Sequence, residues 1–242
     1  MKLHHIYFGI LLFLIIALLF AACNKDTVET EFEVFADAYT VKKMMDGEPK
    51  TAIAFYAYGN NNIASARVTP PAGESGSVQL NASEGSSFTF FKEPENEDFK
   101  PDWPATGNYV FEVESTSGEL VQETDFLEIV NPEIPEIVST TFSPSTLSLT
   151  VKWESLSGVD GSVVKITDKQ GNIVFIGYGL TPTTTEFPIG TGSGTWYSSV
   201  NLGDELILQV QSYIIEQGTD EDLSVYNIAG IAIGEKEIVW GQ

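Results

Sequence analysis

From residue 31 onward, hydrophobic and polar positions alternate in short runs, the two-residue period of a strand with one buried face. The clearest run is 108–114, which puts Tyr109, Phe111 and Val113 on one face and Val110, Glu112 and Glu114 on the other. A second sets Leu147, Leu149, Val151 and Trp153 against Ser148, Thr150, Lys152 and Glu154. Similar runs predict strands over 32–41, 51–58, 63–69, 77–80, 86–91 and 120–130. In the second half they fall at 162–167, 173–177, 183–189, 205–215, 226–233 and 237–240. Gly, Pro, Asn and Asp punctuate them, as at Gly59-Asn60-Asn61-Asn62, Pro70-Pro71 and Asp168-Lys169-Gln170-Gly171-Asn172. Strands this short, with turns this frequent, predict an all-β sandwich architecture. No run after Cys23 keeps a 3.6-residue period with caps, so no helix is expected there.

The first 30 residues follow another pattern. Lys2 precedes an unbroken apolar run of 17 residues, 6–22, which ends in Ala21-Ala22 before Cys23. A basic start, an apolar middle and small residues at the end make a secretory signal, cut before Cys23. The run also lies at the lower limit of what spans a bilayer, so an uncleaved anchor is the alternative. Cys23 is the one cysteine in the chain, and no intramolecular disulfide can form. Phe20-Ala21-Ala22-Cys23 resembles the bacterial lipobox, with Phe20 where that pattern favours Leu. The resemblance implies that Cys23 carries acyl chains such as palmitate and ties the protein to a membrane. Asn24 lacks the Asp that retains enteric lipoproteins at the inner membrane, which implies the outer membrane. Lys25-Asp26 resembles the surface-export signals of Bacteroidetes lipoproteins.

Two further resemblances divide the remainder. Residues 31–130 resemble a bacterial immunoglobulin-like domain, most specifically through Gly107-Asn108-Tyr109-Val110-Phe111-Glu112-Val113, where Tyr109 would form a tyrosine corner. Residues 132–240 resemble a fibronectin type III module. The run 147–153 would be its second strand with Trp153 in the core, 162–175 its next hairpin, and 205–211 its sixth strand. That sixth strand usually carries a Tyr where this chain has Leu206. The expected organisation is a signal peptide at 1–22, a tether at 23–30, an immunoglobulin-like sandwich at 31–130, a stiff linker at 131–136 and a fibronectin III-like sandwich at 137–242. The two prolines in Asn131-Pro132-Glu133-Ile134-Pro135-Glu136 support that linker.

Charge and composition narrow the functions. The chain holds 12 basic and 34 acidic residues; loss of Lys2 with the leader leaves 11 basic, a net charge of −23. Nucleic-acid binders are basic where they meet phosphate, so nucleic acid is not an expected partner. Both histidines, His4 and His5, lie in the leader. The mature chain therefore has no Ser-His-Asp or Cys-His catalysis and no His-based zinc site. Gly190-Thr191-Gly192-Ser193-Gly194 lacks the Lys and helix of a phosphate loop. A carboxylate pair of the glycosidase kind is the remaining enzymatic option, and among 34 acids such pairs arise by chance.

What is left is binding chemistry. No cofactor is implied. Calcium has a candidate place in two acidic loops, Glu93, Glu95, Glu97 and Asp98 in one, Asp220, Glu221 and Asp222 in the other, though neither has EF-hand spacing and both also read as solvated loops. Trp103, between Pro101-Asp102 and Pro104, and the pair Trp196-Tyr197 are the candidate binding residues. Exposed aromatics on sandwich loops stack on sugars or anchor a protein; buried ones cap the core. The chain is thus expected to be a non-catalytic, membrane-anchored lipoprotein presenting two immunoglobulin-like modules for protein binding, adhesion or assembly. The alternative resembles the glycan-binding accessory lipoproteins of polysaccharide-uptake systems, with Trp196 and Tyr197 as stacking platforms.

Overall fold

The computed structural model describes residues 31–71, 76–83, 85–217 and 227–242. The leader, Cys23 and the acidic stretch 220–222 lie outside the described residues. Among the described residues no helix is long and apolar enough to cross a membrane.

In the first half the strands are β1 (Val34–Met45), β2 (Glu48–Gly59), β3 (Ile63–Thr69), β4 (Val78–Gln79), β5 (Asn81–Ser83), β6 (Ser86–Lys92), β7 (Gly107–Ser115) and β8 (Leu120–Leu127). The second half holds β9 (Ile137–Ser143), β10 (Ser148–Trp153), β11 (Gly161–Thr167), β12 (Ile173–Gly177), β13 (Glu186–Ile189), β14 (Gly194–Trp196), β15 (Glu205–Ile215) and β16 (Ile228–Val239). One 3-10 turn, Asn96–Asp98, is the only helical piece among the described residues.

The strands build two sandwiches. In the first, β1-β2-β6-β5 face β4-β3-β7-β8. Lettered in chain order as A, B, C, C′, D, E, F and G, these strands give the ABED-on-CFG arrangement of the immunoglobulin fold. The core between the sheets gathers Ala38, Phe55, Ala57, Phe90, Val68, Phe111, Val113 and Leu127. Tyr109 closes the corner expected of it, its hydroxyl donating to the Ala105 carbonyl at 2.9 Å.

In the second sandwich, β13-β10-β9 face β14-β12-β11-β15-β16. Leu149, Val151 and Trp153 of β10 share its core with Val164, Ile166, Phe175, Leu208 and Val210. Leu147 departs from the alternation. It sits at φ 49°, in the left-handed region, and is 59% exposed, so β10 starts one residue later. The 168–172 hairpin turn forms as expected, with Asp168 Oδ1 accepting the N–H groups of Gln170 and Asn172. The two final strands expected at 226–233 and 237–240 are one continuous strand, β16.

What no local pattern discloses is the pairing of the halves. β1 runs parallel to β16, with Thr40 opposite Gly230 and Lys43 opposite Ile233. A single nine-stranded sheet, β14-β12-β11-β15-β16-β1-β2-β6-β5, therefore crosses both sandwiches. Residues 131–136 are fastened to this sheet. Lys42 Nζ donates to Asn131 Oδ1 at 2.7 Å, and Ser212 Oγ donates to the Glu133 carbonyl at 2.7 Å. Ser157 donates its N–H and hydroxyl to Glu133 Oε2. Gly234 permits the close passage, since a Cβ there would overlap the Pro135 carbonyl.

Candidate functional site

The segment between β6 and β7 carries Trp103 and is pinned at several points. Pro94, Pro101 and Pro104 have no N–H to give a strand ladder, which keeps most of it irregular. At its start, Lys92 pairs with Glu95 at 2.7 Å and Asp98 Oδ2 accepts the Glu95 N–H at 2.8 Å. Phe99 then folds onto Val41, Ala52 and Ala54, with the Lys43 ammonium 4.5 Å from its ring centroid. Lys100 exchanges two backbone hydrogen bonds with Thr51, both 2.8 Å, and the Thr51 hydroxyl donates to the Asp102 carbonyl at 2.9 Å. Tyr109 holds the Ala105 carbonyl. Trp103 thus lies between two anchored carbonyls, and it remains 36% exposed.

Its ring lines a cleft of about 540 Å³ at the edge of the first sandwich. Ile53, Phe55 and Val78 form apolar wall, Pro70, Pro101 and Pro104 stiff rim, and Lys92, Lys100, Asp98 and Asp102 supply charge. An apolar cleft with a few placed polar groups is the usual form of a ligand site.

The other aromatic candidates lie in the second sandwich. Trp196 packs 4.7 Å from Phe175 and 5.7 Å from Trp240, centroid to centroid, and its Nε1 donates to the Gly190 carbonyl at 3.2 Å. With Trp240, Leu147 and Leu202 it lines a smaller hollow of about 270 Å³. Tyr197 is 62% exposed. The structure therefore brings Trp196 to Trp240 and sets Trp103 in a different sandwich.

In the first acidic loop named for calcium, three of the four carboxylates have partners within the protein. Glu95 and Asp98 serve the turn described above, and Glu93 lies 3.7 Å from Lys165. The described residues gather three carboxylates elsewhere: one oxygen each from Asp37 on β1, Asp125 on β8 and Glu216 just after β15 lie within 4.8 Å of one another. Burial, with the charges of Asp125 and Glu216 adding to it, pushes the Asp37 carboxyl up to about 8, against the opposing pull of the Ile228 N–H. Burial likewise raises Asp125, opposed by the N–H groups of Ala38 and Phe126. It raises Glu216 too, with Asp125 and Glu128 contributing. The sequence signal for this group is an acid inside a strand. In β8 the half-buried or buried positions are Val121, Glu123, Asp125 and Leu127, so Asp125 occupies an inward place.

No family model matches the chain, and no curated protein matches it in sequence. Among the solved structures matched to it are these two. One is a "Biofilm associated protein - BSP domain", 15% identical, with TM-score 0.25, covering 87% of this chain and 29% of that one. The other is a "tetra-tandem repeat in extending region of large adhesion protein", 10% identical, with TM-score 0.22, covering 85% of this chain and 49% of that one. The chain spans less than half the length of either, and likeness at these scores carries no argument about function.

Proposed function

We propose that this chain is a non-catalytic lipoprotein, anchored through Cys23, whose Trp103 cleft holds a protein partner outside the cytoplasm in adhesion or assembly. The observation that carries this reading is Trp103 itself, a large ring kept partly exposed on a cleft rim while the backbone on both sides is fastened. Rigid aromatic and proline surface loses little conformational freedom on binding, and Trp is among the residue types enriched at interface hot spots. The anchor is supported by the leader pattern and by the lone cysteine that ends it. Asn24 and Lys25-Asp26 support an outer-membrane, surface-facing location by resemblance alone.

A glycan partner is the second reading. Asp98, Asp102 and Lys100 stand in the same cleft as the Trp103 ring, the combination of stacking face and hydrogen-bonding groups that a sugar uses.

Binding of the fluorescent full-length chain to bacterial cell surfaces tests the proposal. Trp103→Ala, checked by circular dichroism for an intact fold, is expected to weaken binding by roughly tenfold or more. Protease treatment of the target cells should abolish capture and periodate should spare it. Sensitivity to periodate alone selects the glycan reading, and an unchanged Trp103→Ala isotherm contradicts both. The intact mass of membrane-extracted protein should show an acylated chain starting at Cys23; Met1 retained with a free thiol would contradict the anchor.

A further inference from the structure

The backbone ladder between β1 and β16 stops at Thr40 and Gly230. On the N-terminal side of that point two carboxylates take the place of carbonyls. Asp37 Oδ2 accepts the Ile228 N–H at 2.9 Å, and Asp125 Oδ2 accepts the Ala38 N–H at 2.8 Å. Glu216 comes to the same spot from the end of β15. This is the branch where β1, β8 and the edge of the second sandwich meet.

A capping acceptor alone does not require a carboxylate, because a neutral Asn would satisfy the Ile228 N–H equally well. Asp37 is only 3% exposed, and its second oxygen, Oδ1, is buried with no hydrogen-bond partner. Leaving a buried carboxylate oxygen unsatisfied is costly, and two further acids beside it raise the cost. A positive ion removes both penalties. The donor set is all oxygen, which suits a hard cation rather than zinc or copper. Two oxygens on one ion are at most twice the bond length apart, about 4.6–5.2 Å for calcium and about 4.0–4.2 Å for magnesium. Oxygens within 4.8 Å of one another are close enough for small side-chain shifts to bring all three onto one calcium ion.

We propose that Asp37, Asp125 and Glu216 bind one calcium ion at the junction of the two sandwiches. Calcium takes six to eight oxygens, so backbone carbonyls and water complete the shell. The ion clips β1, β8 and the end of β15 together, so the rigidity of the junction follows calcium concentration. This site is separate from the Trp103 cleft, and its test does not depend on the partner.

The test uses the full-length chain in mild detergent, stripped with chelator and titrated with calcium chloride by calorimetry at pH 7.5. One saturable site per chain is expected. At a calcium concentration a hundredfold above the dissociation constant, the unfolding midpoint should rise by about 5–10 °C. Glu216→Gln should weaken the site by about tenfold or more. Asp37→Asn should abolish it while leaving the chelated protein no less stable than the chelated wild type, an outcome a purely structural role for Asp37 would not give. If Asp37→Asn fails to fold, Glu216→Gln and Asp125→Asn decide the matter. Absence of heat and of any midpoint shift in the wild type overturns the proposal. So does an isotherm unchanged in the variants, which would put the ions on surface acids. An equal shift with magnesium chloride overturns the assignment to calcium.

Discussion

At the scale of single residues, Asp37 is a buried acid with one carboxylate oxygen left without a hydrogen-bond partner. Its carboxyl titrates near 8 in the folded chain against 3.8 in the open one. Between those values the folded protein keeps a proton that the unfolded chain has released. The stability this group contributes is therefore complete below about pH 4 and falls as pH rises towards 8, by about 1.4 kcal/mol per pH unit for one proton. Asp125 and Glu216 are raised as well and act in the same direction. Urea unfolding of chelated protein should give a lower midpoint at pH 8 than at pH 5, and Asp37→Asn should flatten that slope; a midpoint that climbs over this range would be inconsistent with the buried acid. Sequence reading found the residues that pack, such as Tyr109, Phe111 and Trp153, because burial and alternation are local signals. It missed Asp37 because one acid in a strand reads as a solvent-facing position until the neighbouring strands are known.

At the scale of elements, most strands were legible where turn residues bound them. β3 matches its expected limits, β2 extends beyond its own at both ends, and β1 starts at Val34 but runs past residue 41 to Met45, because β1 and β2 pair along their full lengths. The gap expected between 233 and 237 holds Gly234, a residue that usually weakens a strand, and β16 runs through it. The reason for that glycine is tertiary, the passage of Pro135 across the strand. Gly234→Ala should accordingly cost about 1–3 kcal/mol through overpacking against backbone that has little room to yield. Equilibrium denaturation reads this directly, and a neutral result would mean that residues 131–136 are not held against β16. The segment carrying Trp103 was visible as a proline-punctuated acidic loop. Its anchoring to Thr51 was not, because that bridge joins residues about fifty positions apart.

At the scale of the whole molecule, the sequence pointed to two modules in succession, and the structure lays them side by side on one sheet. The cores stay distinct, one drawing on residues from Phe32 to Leu127 and the other on Leu149 to Trp240. The β1–β16 ladder and the fastened 131–136 stretch span the gap between them, so opening one sandwich exposes hydrogen-bonding groups of the other. The net charge of −22 works the other way, since self-repulsion favours expansion once the fold loosens. Residues Phe32–Gln242 form one compact unit, and the central physical claim is that the shared sheet makes it one cooperative body that presents the cleft and the junction together. Differential scanning calorimetry at fixed calcium tests it most directly. One transition is expected, with a calorimetric enthalpy on the order of 150 kcal/mol equal to its van't Hoff value. Two separable transitions, or a van't Hoff enthalpy near twice smaller than the calorimetric one, would show two sandwiches unfolding independently and contradict the account.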